Sequence, residues 1–391
     1  VEALDKRLNR QEGDAAWNFE AQAIRDEGID IQAEVDSFHG LFLEVVERSE
    51  APKERYQTLQ MAELLQRLSR IESKLVPGAE TVEGSSVCAA SSLAEQLDGW
   101  FKSLKYEREA YECVEADYCE WIITIPARRG FDRILVRCIA GESGLSHIQA
   151  LKESFEHHRP DEGWLVSTRR ISSAVKERLK DSSHRGLYCY TLDDVIDQVA
   201  DFDKYLQWLE AEITKRGIDT DYIPLGCSKE EIDPDTKATL GISHYGEDEG
   251  WIGGYVDQWV TDSSKEHLSV LGELGTGKTW VVMHYAWLAL QKYKTAKEKG
   301  VDRPRLPLVI PLRDYAKSVT MESLFSEFFF RKHEIPLPGY TAFEQLNKMG
   351  KLLLIFDGFD EMAARVDLQA MIDNFWELAR AVVPGAKAIL T

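Results

Sequence analysis

The residues with the most specific chemical content lie in a glycine-rich stretch at 271–280, LGELGTGKTW. Gly272, Gly275, Gly277, Lys278 and Thr279 fall in register with the phosphate-binding pattern G-x-x-x-x-G-K-[ST]. Glycines let successive backbone N–H groups close on a phosphate chain that a Cβ would fend off, and a helix starting there presents its positive end to the same anions. Lys278 supplies a mobile charge for β and γ phosphates, the Thr279 hydroxyl is placed to ligate magnesium, and Thr276 and Trp280 complete the contact set. A second stretch, KLLLIFDGFDEM at 351–362, puts Asp357 at the end of an apolar run and Asp360 and Glu361 within the next turn. Asp357 suits a magnesium site reached through water, and Asp360 or Glu361 can orient or deprotonate an attacking water.

These groups need elements that bring them together. The apolar residues at 267–271 read as a strand feeding the loop, and TWVVMHYAWLALQKY after it reads as a helix. The run KLLLIF, bounded by Gly350 and Gly358, reads as a buried parallel strand, and LPLVIPL at 306–312 supplies another. In a doubly wound sheet, ligands lie beyond the carboxyl ends of the strands, where both the loop and Asp357 fall. The last segment, GAKAILT, reads as a further core strand, left unpaired at a truncated end of the sheet. Together with a first residue that is Val1, this reads as part of a longer chain.

GELGTGKT, PLVIPLRDY and LLLIFDGFDEM, taken together, resemble the NACHT group of STAND nucleotide switches over 251–391. The resemblance implies an α/β P-loop NTPase domain that binds ATP (or dATP or ADP) with Mg2+ and turns it over slowly. It assigns hydrolysis to Asp360 and Glu361 and puts Arg313 in the second motif block, as a nucleotide contact or as a surface residue at a strand end. It further implies self-association on activation, a trigger sensed by a C-terminal region and, in bacterial examples, defence against phage. A non-hydrolysing nucleotide scaffold and a nucleotide-gated nuclease are the alternatives. A guanine-reading N-K-x-D stretch is absent, and paired acids after Asp357 suit an attacking water better than a substrate hydroxyl, which disfavours a GTPase and a kinase.

At 391 residues, two or three domains are expected. A formal charge of −20 excludes whole-surface binding of nucleic acid. Six cysteines without a C-x-x-C pair imply free thiols in a reducing, cytoplasmic setting, and no apolar run is long enough for a membrane span.

Residues 1–75 read as a helical hairpin or coiled-coil arm, and 76–92 as a linker. Residues 93–200 alternate between types: a helix over 93–109, strands CEWIITIP and FDRILVRCIAG, then helix, strand, helix and strand. This order resembles the restriction-endonuclease-like core of the Mrr type, in which an acidic residue precedes a strand carrying E-x-K or Q-x-K. Cleavage needs two carboxylates for magnesium and a lysine. LVRCI puts Arg137 where the second acid belongs and Ile139 where the lysine belongs, leaving Asp117, Glu120 and Asp132 nearby. An inactive contact domain is therefore expected. Between 128 and 185, twelve Lys and Arg stand against eight Asp and Glu, so Arg128, Arg129, Arg133, Arg137, Arg169 and Arg170 are candidates for nucleic-acid phosphates, or an ordinary solvated face. In the connecting segment, 201–250, DKYLQWLEAEITKRG reads as an amphipathic helix and DYIPLGC as extended. Trp251 and Ile252 are candidates for an adenine pocket by resemblance, or for the core.

Overall fold

The structure, a computed structural model, describes residues 89–391 apart from 116, 129, 182–183, 233–238, 274 and 316–319. The arm expected at 1–75 lies outside the described residues, and of the 76–92 linker only the end is described, where it is already helical.

The first half is built on a mixed five-stranded sheet of order β1-β2-β3-β4-β5. After α1 (Ala89–Ser103), the strands β1 (Glu107–Val114), β2 (Tyr118–Ala127) and β3 (Gly130–Ile139) form an antiparallel meander. α2 (Leu145–His158) then carries the chain over to β4 (Glu162–Ser167), and α3 (Ser173–Arg178) to β5 (Leu187–Thr191), both parallel to β3. α4 (Leu192–Asp197) follows directly. Side chains alternate across the sheet, so each strand feeds two cores. Trp121, Ile123, Val136 and Trp164 join Leu97, Trp100 and Phe101 of α1, while Ile122, Leu135 and Leu165 join Ile148 and Leu151 of α2. The helix expected over 93–109 stops at Ser103; Lys105 turns the chain with φ 61°, and the charged stretch after it enters β1. β1 is an edge strand exposed at every second residue, and its Glu and Arg residues mimic a solvated helix face in composition.

α5 (Asp203–Lys215) leads by way of a hairpin, β6 (Cys227–Ile232) and β7 (Thr239–Tyr245), to α6 (Trp251–Thr261). The second sheet contains β8 (His267–Ser269), β9 (Leu306–Pro311), β10 (Leu352–Asp357) and β11 (Ala388–Leu390), all parallel, in the order β8-β11-β10-β9. α7 (Lys278–Lys299), α8 (Met321–Phe325), α9 (Tyr340–Lys348), α10 (Phe359–Ala363) and α11 (Leu368–Ala379) connect them. β11 is not the unpaired strand expected from its place at the end of the sequence. Ala388 pairs with His267 on one side and Leu354 on the other, because the slot between β8 and β10 would otherwise hold two rows of unmatched backbone groups. β9, which lies between β8 and β10 in sequence, is the far edge.

α5 covers that edge. Leu206, Leu209 and Ile213 are buried along one side, and the fully buried Tyr205 hydroxyl accepts a hydrogen bond from the Val309 N–H at 2.7 Å, so that the open side of β9 has a partner. A single apolar cluster runs from α1 through α5 into the second sheet. Ion pairs reinforce the junction at the amino ends of β9 and β10. Arg303 grips Asp197 with two hydrogen bonds of 2.8 and 2.7 Å, and Asp193 accepts from the Arg303 N–H at 3.1 Å and pairs with Lys351 at 2.9 Å. Burial pulls the Lys351 ammonium down, but Asp193 and Asp302 outweigh it and hold it above its ordinary value. Among the described residues, no helix is long and apolar enough to cross a membrane.

Candidate functional site

The loop after β8 is shaped by three glycines with different duties. Gly275 and Gly277 hold φ of 82° and 90°, a region costly for any side chain, while a Cβ at Gly272 would come within 2.7 Å of the Thr276 hydroxyl. Beside Gly275 a Cβ would meet nothing within 4 Å, so an open cradle adjoins the amino end of α7, which Gly277 caps without a side chain. Thr276 donates its hydroxyl to the Glu273 carbonyl at 2.8 Å and so braces the loop itself. Trp280 remains 40% exposed on the first turn of α7.

Two chemically useful contacts converge at this rim. The Lys278 ammonium donates to the Gly272 carbonyl at 2.7 Å and lies 2.9 Å from Oδ2 of Asp360. The Thr279 hydroxyl donates to Oδ1 of Asp357 at 2.9 Å. Residues on either side of a long insertion thus meet, even though their strands are not neighbours. The interposed β11 makes the join: Thr391, just past its end, donates its hydroxyl to the same Asp357 oxygen at 2.7 Å and accepts from the Gly358 N–H at 3.0 Å. Sequence reasoning missed Thr391, whose only signal is a hydroxyl at the end of an apolar strand. Glu361 follows Asp360 in the first turn of α10, and its N–H donates to Oδ1 of Asp360 at 2.8 Å.

The donor set fits magnesium carried on a phosphate chain. Thr279 and Asp357 offer the hard oxygens that this ion prefers.

The extended DYIPLGC segment lies against this loop. The Leu225 side chain sits 3.2 Å from where a Cβ on Gly277 would stand, and the Leu225 carbonyl accepts from the Ile252 N–H at 3.0 Å. Tyr222 stacks on His284 of α7 with ring centroids 3.8 Å apart, and burial keeps that imidazole below its ordinary value. Ile252 is buried in the core, whereas Trp251, with φ 60°, starts α6. Arg313 lies beside Asp314, 3.7 Å from its carboxylate, in the 3-10 turn Leu312–Tyr315.

In the first sheet, Glu120 and Arg137 are cross-strand partners, and both are buried. Arg137 Nε donates to Glu120 Oε2 at 2.5 Å, its Nη2 to the Ser154 hydroxyl at 3.0 Å, and its guanidinium covers the Tyr118 ring at 4.2 Å. The Tyr111 hydroxyl donates to the other Glu120 oxygen at 2.7 Å. A resident cation therefore occupies this carboxylate. Asp117 and Asp132 are exposed, and Asp132 pairs with Ile125 well along the hairpin from Glu120, so the three acids do not converge. The five described arginines of the six candidates do not form one patch either. Arg137 is buried, Arg133 is held by Glu109 with bonds of 2.7 and 2.9 Å, and Arg128 lies at the β2–β3 turn, whereas Arg169 and Arg170 follow β4 at the opposite end of the sheet. Arg129 is not among the described residues.

Residues 93–197, which hold most of this first half, match the family model of NACHT-associated inactive restriction endonuclease 1. The chain is also similar to an uncharacterized WD repeat-containing protein of Nostoc sp., 51% identical over an alignment of 388 residues that covers 94% of this chain and 25% of the relative. The chain thus spans about a quarter of the length of that relative. No solved structure matches. The matched family suggests a NACHT-associated protein, and the inactivity in the family's name accords with a carboxylate already paired to Arg137.

Proposed function

We propose that the chain is the effector-and-switch part of a NACHT-type signalling ATPase: it binds ATP (or dATP or ADP) with Mg2+ and hydrolyses it slowly. The observation that carries this reading is the 2.9 Å contact between the Thr279 hydroxyl and Asp357, on the same rim as the Lys278 ammonium and the glycine cradle. Magnesium, when bound, would supply charge neutralisation at the β and γ phosphates. The chain's own groups do the rest. Gly275 and Gly277 leave room for phosphate against backbone N–H groups, Lys278 brings a positive charge to it, Thr279 and Asp357 hold the metal's oxygen shell, and either Glu361 or Asp360 supplies the carboxylate that can orient water. The first sheet is read as a contact domain and not as a nuclease, because its buried carboxylate is neutralised by Arg137 and no lysine stands beside it. Nucleotide state would then control self-association in the cytoplasm, with a trigger sensed by a region beyond this chain. The WD repeats named in the relative are one form such a region can take, and defence against phage is one use of it.

Nucleotide binding and phosphate release by the wild-type chain and by Lys278→Ala test the reading. Lys278→Ala should lose nucleotide affinity by about two orders of magnitude, as expected for removing a charge-assisted contact to phosphate, with an unchanged circular dichroism spectrum. Equal binding by both proteins would defeat it. Binding without any phosphate release by the wild type would leave a nucleotide-held scaffold instead.

A further inference from the structure

The two acids after Asp357 do not share an environment. Oδ2 of Asp360 sits 2.9 Å from the Lys278 ammonium, with the two side chains only 28% and 12% exposed, and Oδ1 accepts from the Glu361 N–H at 2.8 Å. Both Asp360 oxygens are therefore engaged inside the rim, one of them by the very cation that a phosphate would need. The Glu361 carboxyl carbon instead stands near Gly358, 3.8 Å from where a Cβ would be, beside the turn that Asp357 and Thr391 share.

We infer that Asp360 is a tuning residue that competes with nucleotide phosphate for Lys278, and that Glu361 alone acts on the attacking water; the inference rests on the ATPase reading above. A carboxylate and a phosphate oxygen are alternative anions for one ammonium, which also keeps the Gly272 carbonyl as a fixed second acceptor. Occupation of Lys278 by phosphate must displace or share the Asp360 contact, so the free energy of that contact is subtracted from nucleotide affinity. The same exchange releases Asp360 at the first turn of α10, one residue from Glu361. Asp360 is thus a positioning and affinity-setting residue, whereas Glu361 is the catalytic one.

Asp360→Asn keeps the shape and removes the charge. A partly exposed ion pair is worth about fivefold in an equilibrium constant, so Asp360→Asn should bind a fluorescent ADP analogue about fivefold more tightly than the wild-type chain. Glu361→Gln should bind as the wild type does and lose release. Raising the salt concentration should narrow the affinity gap between wild type and Asp360→Asn, because screening weakens the competing pair. Asp360→Ala serves as a second charge-removing variant and should show the same tighter binding. Binding by both Asp360 variants equal to or weaker than that of a binding-competent wild type overturns the inference and leaves the ATPase reading intact. Loss of release in Asp360→Asn but not in Glu361→Gln also overturns it. A wild-type chain that binds no nucleotide, with or without Mg2+, removes the ATPase reading and this inference with it.

Discussion

Replacing Arg137 by alanine tests whether the first sheet carries a resident cation in place of a metal. Glu120 is 1% exposed and has two partners: Arg137 on one oxygen and the Tyr111 hydroxyl on the other. Removing the guanidinium leaves a carboxylate buried with one neutral donor, and truncating one partner of such a pair costs about 3–5 kcal/mol. Stacking on Tyr118 and the bond to Ser154 are lost as well, so the upper part of that range is expected. Arg137→Met with Glu120→Leu removes both charges and keeps the volume, and should be close to neutral in stability. The assay is urea unfolding of the full chain, followed by hydrogen exchange of β2 and β3 amides. A loss under about 1 kcal/mol would mean that water reaches Glu120, and the resident-cation argument fails.

Two more outcomes follow from the same coordinates. Arg303→Ala should cost about 1–3 kcal/mol, since its bidentate partner Asp197 is about a third exposed, and it should split one calorimetric transition into two as the halves melt apart. Burial among Tyr205, Trp208 and Phe328 lowers His333 from 6.5 to about 4, with the charge of Lys332 adding to the effect. The unfolded chain thus binds this proton first, so stability is complete above about pH 6.5 and is lost as pH falls toward 4, by about 2 kcal/mol at pH 5; the fall should flatten in His333→Phe thermal melts.

The glycine turn at 271–280, β9 and β10 were legible because their signals are local. A cradle needs glycines at fixed offsets, and a strand buried on both faces reads as an unbroken apolar run. The placement of β11 was not legible, because sheet order depends on which slot leaves the fewest unpaired backbone groups, and no residue in AIL encodes a neighbour. For the same reason the part played by Thr391 was not legible: it lies just past the strand interposed between β8 and β10 and shares the Asp357 oxygen that Thr279 contacts directly. The Arg137 substitution was visible in LVRCI, yet its partner came from cross-strand register, which fixes Glu120 opposite it and Asp132 far away. The helix expected over 93–109 overruns into the first three residues of β1, because an edge strand facing water carries the same charged residues as a helix surface.

The two halves of the chain meet at one end of the second sheet and the candidate site lies at the other. Lys351 precedes β10 and binds Asp193 of α4; Asp357 ends β10 and binds Thr279 of α7. Six residues of parallel strand, about 20 Å, separate these contacts, and five of them are buried. Such a strand has little room to bend, so the first sheet is fixed to the element that carries the candidate metal ligand. α7, which starts at Lys278, reaches the same junction farther along, where the Tyr293 hydroxyl accepts from Arg303 at 3.2 Å. Both elements of the candidate site are therefore anchored to one frame, and the contact between Lys278 and Asp360 spans the rim between them.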